Sequence, residues 1–227
     1  MPSIRFDIVS IGTLSRNRLW NESQVFRTPH ATTTLVRTGK KHLLVDPGLP
    51  SPALAARLNE RTGLRPEQID TIFLTNFRPA HRTGLSLFPK ATVYISEAEL
   101  QAARHGIELL LEQAPTEDID RSYFENELRL LETFKPAPDQ LADQVDLFPL
   151  AGYTSGTCGL LLSLPTLTVL VAGDAVPTQD HFLAGQVLPD TQDIQQAQES
   201  LREAYEISDL IIPGHDNLFI NPRTHGI

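Results

Sequence analysis

Five short stretches of this 227-residue chain place polar or ionisable side chains within or directly after apolar runs. These side chains are imidazoles, carboxylates, an amide, a guanidinium and a phenol, which are groups that bind metal ions, hold anions or move protons. In chain order they are Asp46 after KHLLV, then Asn76, Arg78 and His81 after TIFLT, Tyr153 in LAGYTSGTCG, Asp174 in LVAGDA and His215 in LIIPGHD. Because a strand anchors the turn that follows it, such turns can converge rigidly on one edge.

In order and spacing, these stretches resemble the signature segments of the metallo-β-lactamase superfamily. The family's metal-binding turn is a strand followed by T-H-x-H-x-D-H-x-G, and TNFRPAHRTG (75–84) is similar to it with only the last histidine kept. The resemblance runs from Ile8 to about Phe219 and is strong because five weak matches occur in the right order. The P-G-H-D ending and a helical stretch after Ser96 are most similar to the lactonase and thioesterase-like branches.

The resemblance implies that the first of the family's two metal positions has lost its ligands. The three histidines that hold this ion fall on Asn76, Arg78 and Tyr153. An amide is a poor zinc ligand, arginine stays protonated and a phenol seldom serves zinc. We therefore expect no two-metal cluster, and we expect Tyr153 to fill space and to hydrogen-bond into the site.

The second metal position keeps more of its ligands in this sequence. His81 and His215 fall on its two histidines, Asp174 falls on the bridging aspartate, and Ala80 replaces the turn aspartate. Two imidazoles and one carboxylate can hold zinc, iron or manganese with open positions, so the resemblance implies either no metal or a single divalent ion, with zinc preferred. Asp46 corresponds to the acid that supports the metal turn. The histidines also admit a plainer role, which is to satisfy buried hydrogen bonds.

Arg78 is expected to compete with such an ion. The ions of a family pair lie ~3.5–4 Å apart, and a guanidinium in the vacated position would repel a divalent ion by about 8 kcal/mol at an effective dielectric near 20. Paired with Asp174, Arg78 would also neutralise the carboxylate without a metal. His30 and His181 are loop histidines that could serve as replacement ligands.

Three functions remain open, and whether the protein is an enzyme is open with them. The first is a metallo-β-lactamase-fold protein that is not a conventional metallohydrolase and that binds a small anion in a polar pocket. The second is a single-metal hydrolase of an ester, thioester or lactone. The third is a structural or interaction subunit. Metal content distinguishes the first two, and partner-dependent stability would indicate the third. We expect little β-lactamase or generic esterase activity.

The elements that must position these residues alternate between strands and helices in two rounds. The pattern favours one α/β domain over residues 1–227, and the resemblance implies a four-layer αββα sandwich with a helical insert at about 96–134. Ser51 is expected to cap the first helix, and Ser96 to Glu99 are expected to form a capping box. Strands are predicted at 4–11, 32–37, 42–45, 71–74, 91–95, 144–150, 159–164, 166–172 and 209–212, and further helices at 52–61 and 193–205.

Charge and composition limit the classes of partner that we expect. The formal net charge is −9, with seven basic and two acidic residues in 1–42 (+5) and five basic and 18 acidic residues in 117–227 (−13). The acidic half disfavours nucleic acid, whose phosphates require cations. No apolar run approaches the ~20 residues that cross a bilayer. With no signal peptide in view and Cys158 as the single cysteine, we expect a cytoplasmic protein with a small-molecule ligand, and a homo-oligomer stays open.

Overall fold

A computed structural model describes residues 4–113 and 119–225 as two stacked six-stranded sheets with helices on both outer faces. In the first sheet the strands lie side by side in chain order. The first three pair antiparallel, and the third to the sixth pair parallel. The strands are β1 (Arg5–Ser10), β2 (Thr33–Thr38), β3 (Lys41–Val45), β4 (Thr71–Leu74), β5 (Thr92–Ile95) and β6 (Lys135–Pro136).

The second sheet also follows chain order. Its parallel pair is the fourth and fifth of its six strands, and its other neighbours are antiparallel. The strands are β7 (Gln140–Ala142), β8 (Val145–Pro149), β9 (Cys158–Ser163), β10 (Thr168–Gly173), β11 (Leu210–Pro213) and β12 (Phe219–Ile220).

Six α-helices accompany the sheets in the described part of the chain. Helix α6 shows why they pack where they do, since its buried residues Ala197, Leu201 and Ala204 recur at helical spacing and the side chain of Asp193 accepts a hydrogen bond from the N–H of Gln196 at its start. The helices are α1 (Ser51–Thr62), α2 (Pro79–Arg82), α3 (Glu97–Gln113), α4 (Ile119–Glu132), α5 (Gln179–Ala184) and α6 (Ile194–Ile207).

Three apolar clusters separate four layers, which confirms the αββα sandwich. One cluster lies between the first sheet and helices α1, α3 and α4, and it includes Leu54 and Ile72. The middle cluster fills the space between the sheets and includes Phe73. The third packs α5 and α6 on the second sheet and includes Leu170 and Leu201. Each sheet therefore buries both faces, as a parallel sheet requires.

Most predicted elements appear within one or two residues of their expected ends. The insert predicted at about 96–134 corresponds to α3 and α4, and residues 114–118 lie outside the described residues. Ser51 does not cap α1, because Pro50 occupies the N-cap and Ser51 is already helical. Pro136, just after the predicted insert, lies in the short strand β6. Strands β7 and β12 and helix α5 were not predicted, since two or three residues of strand and six of helix carry too little periodicity.

The predicted capping box at α3 is half formed. Ser96 Oγ accepts the N–H of Glu99 at 3.1 Å. The Glu99 carboxylate does not return to Ser96, however. It accepts the N–H of Phe77 at 2.8 Å and the hydroxyl of Thr154 at 2.6 Å. Glu99 therefore joins the insert to two loops at the edge of the sandwich.

No helix in residues 4–113 and 119–225 is long and apolar enough to cross a membrane. The one-domain organisation over residues 1–227 stays a prediction.

We predict that Cys158 is inert in the folded protein. The residue lies on β9 in the middle core and is 2% exposed, and burial raises the pKa of its thiol to about 12. Since the thiolate is the reactive form, a disulfide reagent at mildly alkaline pH should label no thiol in native protein and one thiol per chain in denaturant. Rapid labelling of the native protein would contradict this placement.

Candidate functional site

The carboxyl ends of the parallel strands in both sheets meet at one edge of the sandwich. Asp46 follows β3, Thr75 follows β4, Asp174 follows β10 and His215 comes two residues after β11. Ligand groups gather at this edge because parallel strands all end there. The two sheets approach closely at this point: a Cβ added to Gly173, whose φ is +54°, would lie 2.4 Å from Thr75 Oγ1. The backbone thus sets the positions from which the side chains project.

Asp174 is the centre of the site. It is 4% exposed. One carboxylate oxygen, Oδ2, lies 2.8 Å from His81 Nε2 and accepts a hydrogen bond from Asn76 Nδ2 at 2.9 Å. The other oxygen, Oδ1, lies 2.9 Å from His215 Nε2 as an ion-pair contact, and this buried atom has no hydrogen-bond partner among the described residues. Asp174 therefore keeps unused capacity for a cation or a proton donor.

His81 is held from behind by a second carboxylate. Its Nδ1 lies 3.0 Å from Asp46 Oδ2. Asp46 also accepts the N–H of Thr75 at 2.9 Å and the Thr75 hydroxyl at 2.7 Å. The backbone φ of Asp46 is +49°, an uncommon conformation for aspartate that these bonds maintain. The acceptor carboxylate requires a proton on Nδ1, so Nε2 is the atom that faces Asp174.

His215 is held in the same way by the main chain. Its Nδ1 lies 3.1 Å from the carbonyl oxygen of Thr13 and 3.0 Å from that of His30. Carbonyl oxygens only accept, so Nδ1 carries a proton and a neutral His215 turns the lone pair of Nε2 toward Asp174. Both histidines thus present Nε2 to one carboxylate, and a cation, either a proton or a metal ion, is needed between them.

The buried charges shift the pKa values strongly. Burial alone would lower the pKa of His81, but the carboxylates of Asp174 and Asp46 outweigh burial and raise it to about 10. Burial likewise opposes ionisation of Asp174, yet His81 and His215 hold its pKa well below the usual value. Without a metal, His81 is therefore an imidazolium, whose single positive charge lies between the two carboxylates.

Arg78 does not pair with Asp174, which corrects the expectation from the sequence. Arg78 is exposed, it forms no ion pair within the described residues, and its guanidinium carbon lies 5.5 Å from the centre of the Tyr153 ring. The physical reason is local: Arg78 precedes the first turn of α2, and its N–H donates to Asn76 Oδ1 at 2.9 Å. Asn76, which is fully buried, takes the place beside Asp174.

Tyr153 lies in the turn between β8 and β9 and is 7% exposed. Its hydroxyl donates to Asp190 Oδ2 at 3.2 Å. Burial, with the nearby carboxylates of Asp174 and Asp190, raises the pKa of the phenol, so the hydroxyl stays protonated. The ring therefore serves as a wall and as a platform for Arg78.

The two further histidines do not join the cluster. His30 is half-buried, and its ring nitrogens lie against the carbonyl oxygens of Thr28 and Ile11, so that it reaches His215 through its own carbonyl oxygen. His181 is buried beside Thr178 Oγ1 at 2.8 Å, and burial lowers its pKa. Among the described residues, the side chains that could hold a metal ion are His81, Asp174 and His215, whose ligand atoms lie within 4.8 Å of one another.

The three groups fit one divalent ion in chemistry and nearly in spacing. Two imidazole nitrogens with fixed tautomers and a buried, unpartnered carboxylate oxygen are a suitable donor set. Zinc with bonds of ~2.1 Å separates tetrahedral ligand atoms by ~3.4 Å. The observed contacts of 2.8 and 2.9 Å are therefore shorter, by about half an ångström, than a bound ion requires.

A cavity of about 620 Å³ opens above Asp174. Part of its wall consists of residues described above, namely Arg78, Tyr153, His181 and His215. The sequence did not predict the rest of its wall, which comes from two loops. One contributes Leu14, Ser15, Arg16, Arg18, Leu19 and Pro29, and the other contributes Gln186, Val187, Leu188, Pro189 and Asp190. The only signal available in the sequence was the pair of arginines in an otherwise irregular stretch.

Comparison with known proteins agrees with this geometry. The family model of the metallo-beta-lactamase superfamily matches residues 28–215. A solved Thermotoga maritima protein, provisionally assigned to the metallo-beta-lactamases, has a TM-score of 0.69 at 16% identity, over 96% of this chain and 99% of its own. No protein with a curated description matches the chain.

Two solved lactonases are also similar. AidC, a dizinc quorum-quenching lactonase, has a TM-score of 0.66 at 17% identity over 84% of this chain and 74% of its own. An N-acyl homoserine lactone hydrolase, solved with N-hexanoyl-L-homoserine at its catalytic metal center, has a TM-score of 0.65 at 19% identity over 95% and 93%. At these identities the structures show a shared fold alone. The family model, which covers most of the chain, shows membership: the chain belongs to the metallo-β-lactamase superfamily.

Proposed function

We propose that this protein binds a small anion in the cavity above Asp174 and does not act as a two-metal hydrolase. The observation that carries the proposal is Arg78, a guanidinium that has no ion pair within the described residues, lines the cavity and lies over the Tyr153 ring. A guanidinium offers up to five donors in a planar fork that suits carboxylate and phosphate oxygens. The ring beneath limits its motion, so less entropy is lost on binding.

The residues that fall on the family's first metal position in the resemblance support the same proposal. The Asn76 amide donates to Asp174, Arg78 lies over the Tyr153 ring, and the Tyr153 hydroxyl donates to Asp190. None of these groups is a zinc ligand in this arrangement. The imidazolium of His81 already neutralises Asp174, so the centre stays folded without a metal ion.

A single-metal hydrolase of an ester, thioester or lactone is the second candidate. It is favoured by one observation, the buried Asp174 Oδ1 without a hydrogen-bond partner beside His215 Nε2. His81, Asp174 and His215 would hold the ion, and the ion would supply Lewis acidity and a lowered pKa for water. Arg78 would then orient an anionic part of the substrate from the cavity mouth.

We predict at most one divalent ion per chain. The described residues bring together one set of three ligands, and Asn76, Arg78 and Tyr153 supply no second set. The measurement is elemental analysis of protein purified without chelator, followed by zinc titration with Asp174→Ala as the control for this site. About two zinc ions per chain would contradict the proposal. One ion, together with chelator-sensitive turnover of esters, thioesters or lactones, would favour the second candidate.

We predict that metal-free protein loses stability as the pH rises from about 6.5 to about 10. The folded pKa of His81, beside Asp46 and Asp174 and facing the His215 ring at 5.7 Å, is raised from 6.5 to about 10. A raised folded pKa adds stability that is complete below the unfolded pKa and lost as the pH passes the folded pKa.

Urea unfolding of chelator-treated protein across this pH range measures the effect. The substitution His105→Gln, on the exposed face of α3, is the matched control and should leave the profile unchanged. A flat profile over the interval would show that His81 is not the cation that neutralises Asp174.

We predict that inorganic phosphate or acetate at millimolar concentration stabilises the protein more than sodium chloride of equal ionic strength. A ligand that binds only the folded state raises the unfolding temperature. Arg78→Gln should remove most of this increase, and Arg61→Gln, which makes the same charge change at the exposed end of α1, should not. Equal shifts in wild type and Arg78→Gln would refute the role given to Arg78.

A further inference from the structure

The cavity loop, residues 13–30, is a closed and braced segment. Its ends are joined by two backbone hydrogen bonds between Thr13 and His30, of 2.9 and 3.2 Å. Both end residues also place a carbonyl oxygen on His215 Nδ1. The loop is therefore fastened at its base to the centre of the site, although the sequence suggested only an irregular stretch.

The outer part of the cavity loop is braced as well. Trp20 Nε1 donates to Asp180 Oδ2 at 2.6 Å, which joins the loop to α5. Arg27 forms an ion pair with Glu22 and lies over the Trp20 ring at 5.6 Å. These contacts fix the loop's outer face, so its inner face is presented to the cavity in a set conformation.

The other two arginines of the cavity loop do not brace its outer face. Arg16 and Arg18 line the cavity, and neither side chain has an ion pair or hydrogen bond within residues 4–113 and 119–225. Arg78 faces the same space. The cavity also contains two carboxylates, of which Asp174 lies against the rings of His81 and His215 and Asp190 accepts the Tyr153 hydroxyl. A chain of net charge −9 thus places three unpaired guanidiniums around one cavity.

Part of the remaining wall is apolar. The cavity loop contributes Leu14, Leu19 and Pro29, and the facing loop contributes the run Val187 to Pro189. At about 620 Å³ the cavity is far larger than a bare phosphate or acetate ion and is of the size that holds small organic ligands. A ligand that fills it must therefore carry an apolar body as well as a charged head.

We propose that the cavity loop determines ligand specificity, selecting an amphiphilic oxyanion. Arg16 and Arg18, together with Arg78, hold a phosphate or carboxylate head, and the apolar walls hold a short hydrocarbon body. The inference rests on the proposed anion-binding function and deepens it. Multiple guanidiniums around a head group make charge-assisted bonds that a neutral analogue cannot form.

The test is calorimetric titration of the wild-type protein with hexyl phosphate, hexanoate, hexanol, inorganic phosphate and acetate. The expected result is that hexyl phosphate or hexanoate binds, that hexanol and the bare ions bind at least tenfold more weakly, and that added salt weakens binding. The tighter of the two hexyl anions identifies the head as phosphate or carboxylate. Arg16→Gln and Arg18→Gln should each weaken that anion by roughly tenfold.

The controls separate this inference from the proposed function. Arg61→Gln makes the same charge change outside the cavity lining and should leave affinity unchanged. If Arg78→Gln weakens binding and the two loop variants do not, the loop is not the specificity element and the proposed function stands. Hexanol binding as tightly as the hexyl anions, or bare ions binding as tightly as the hexyl anions, overturns the amphiphilic ligand. No binding of any anion overturns both proposals.

Discussion

A buried carboxylate between two imidazoles is the interaction on which the arrangement of the site depends. Asp174 is almost fully buried, and an unpaired charge at that depth would be severely destabilising. Its partners come from the turn after β4, from α2 and from the turn after β11, so neutralising one charge joins the ends of both sheets. Asp46 extends the same network behind His81, and the carbonyls of Thr13 and His30 extend it behind His215.

The network also explains why the site can be assembled without a metal. In the metallo-β-lactamase signature that the sequence resembles, the cation between these groups is a divalent ion. When no metal ion is bound, the His81 proton supplies a charge at the same place, with the Asn76 amide as an added donor. The contact of 2.8 Å between His81 Nε2 and Asp174 Oδ2 is that of directly paired groups. Asp174 Oδ1 lies 2.9 Å from His215 Nε2 but has no hydrogen-bond partner among the described residues, so pairing is incomplete there. Proton and metal therefore compete for one set of lone pairs.

The sequence predicted the strands and the residues at their ends, because apolar runs followed by polar turns are a strong local signal. It predicted far less about where side chains point. Arg78 lies in the position expected, yet its direction depends on the start of α2 and on the bond that its N–H makes to Asn76. The cavity loop was missed because backbone bonds between its ends and a Trp20–Asp180 contact, 160 residues apart in sequence, determine its shape. Contacts between residues so far apart leave no periodic pattern in the sequence.

The close approach of Gly173 to Thr75 has a consequence for how such a site can diverge. The position of each turn is set by strand ends and by backbone contacts too close for a Cβ, as at Gly173 and at Gly214 beside Asp174 Oδ1. The side chains that project into the cavity contribute little to the positions of these turns. The backbone can therefore be inherited unchanged while individual side chains are replaced one at a time. In this chain, an amide, a guanidinium and a phenol occupy the edge without disturbing the strands that support it.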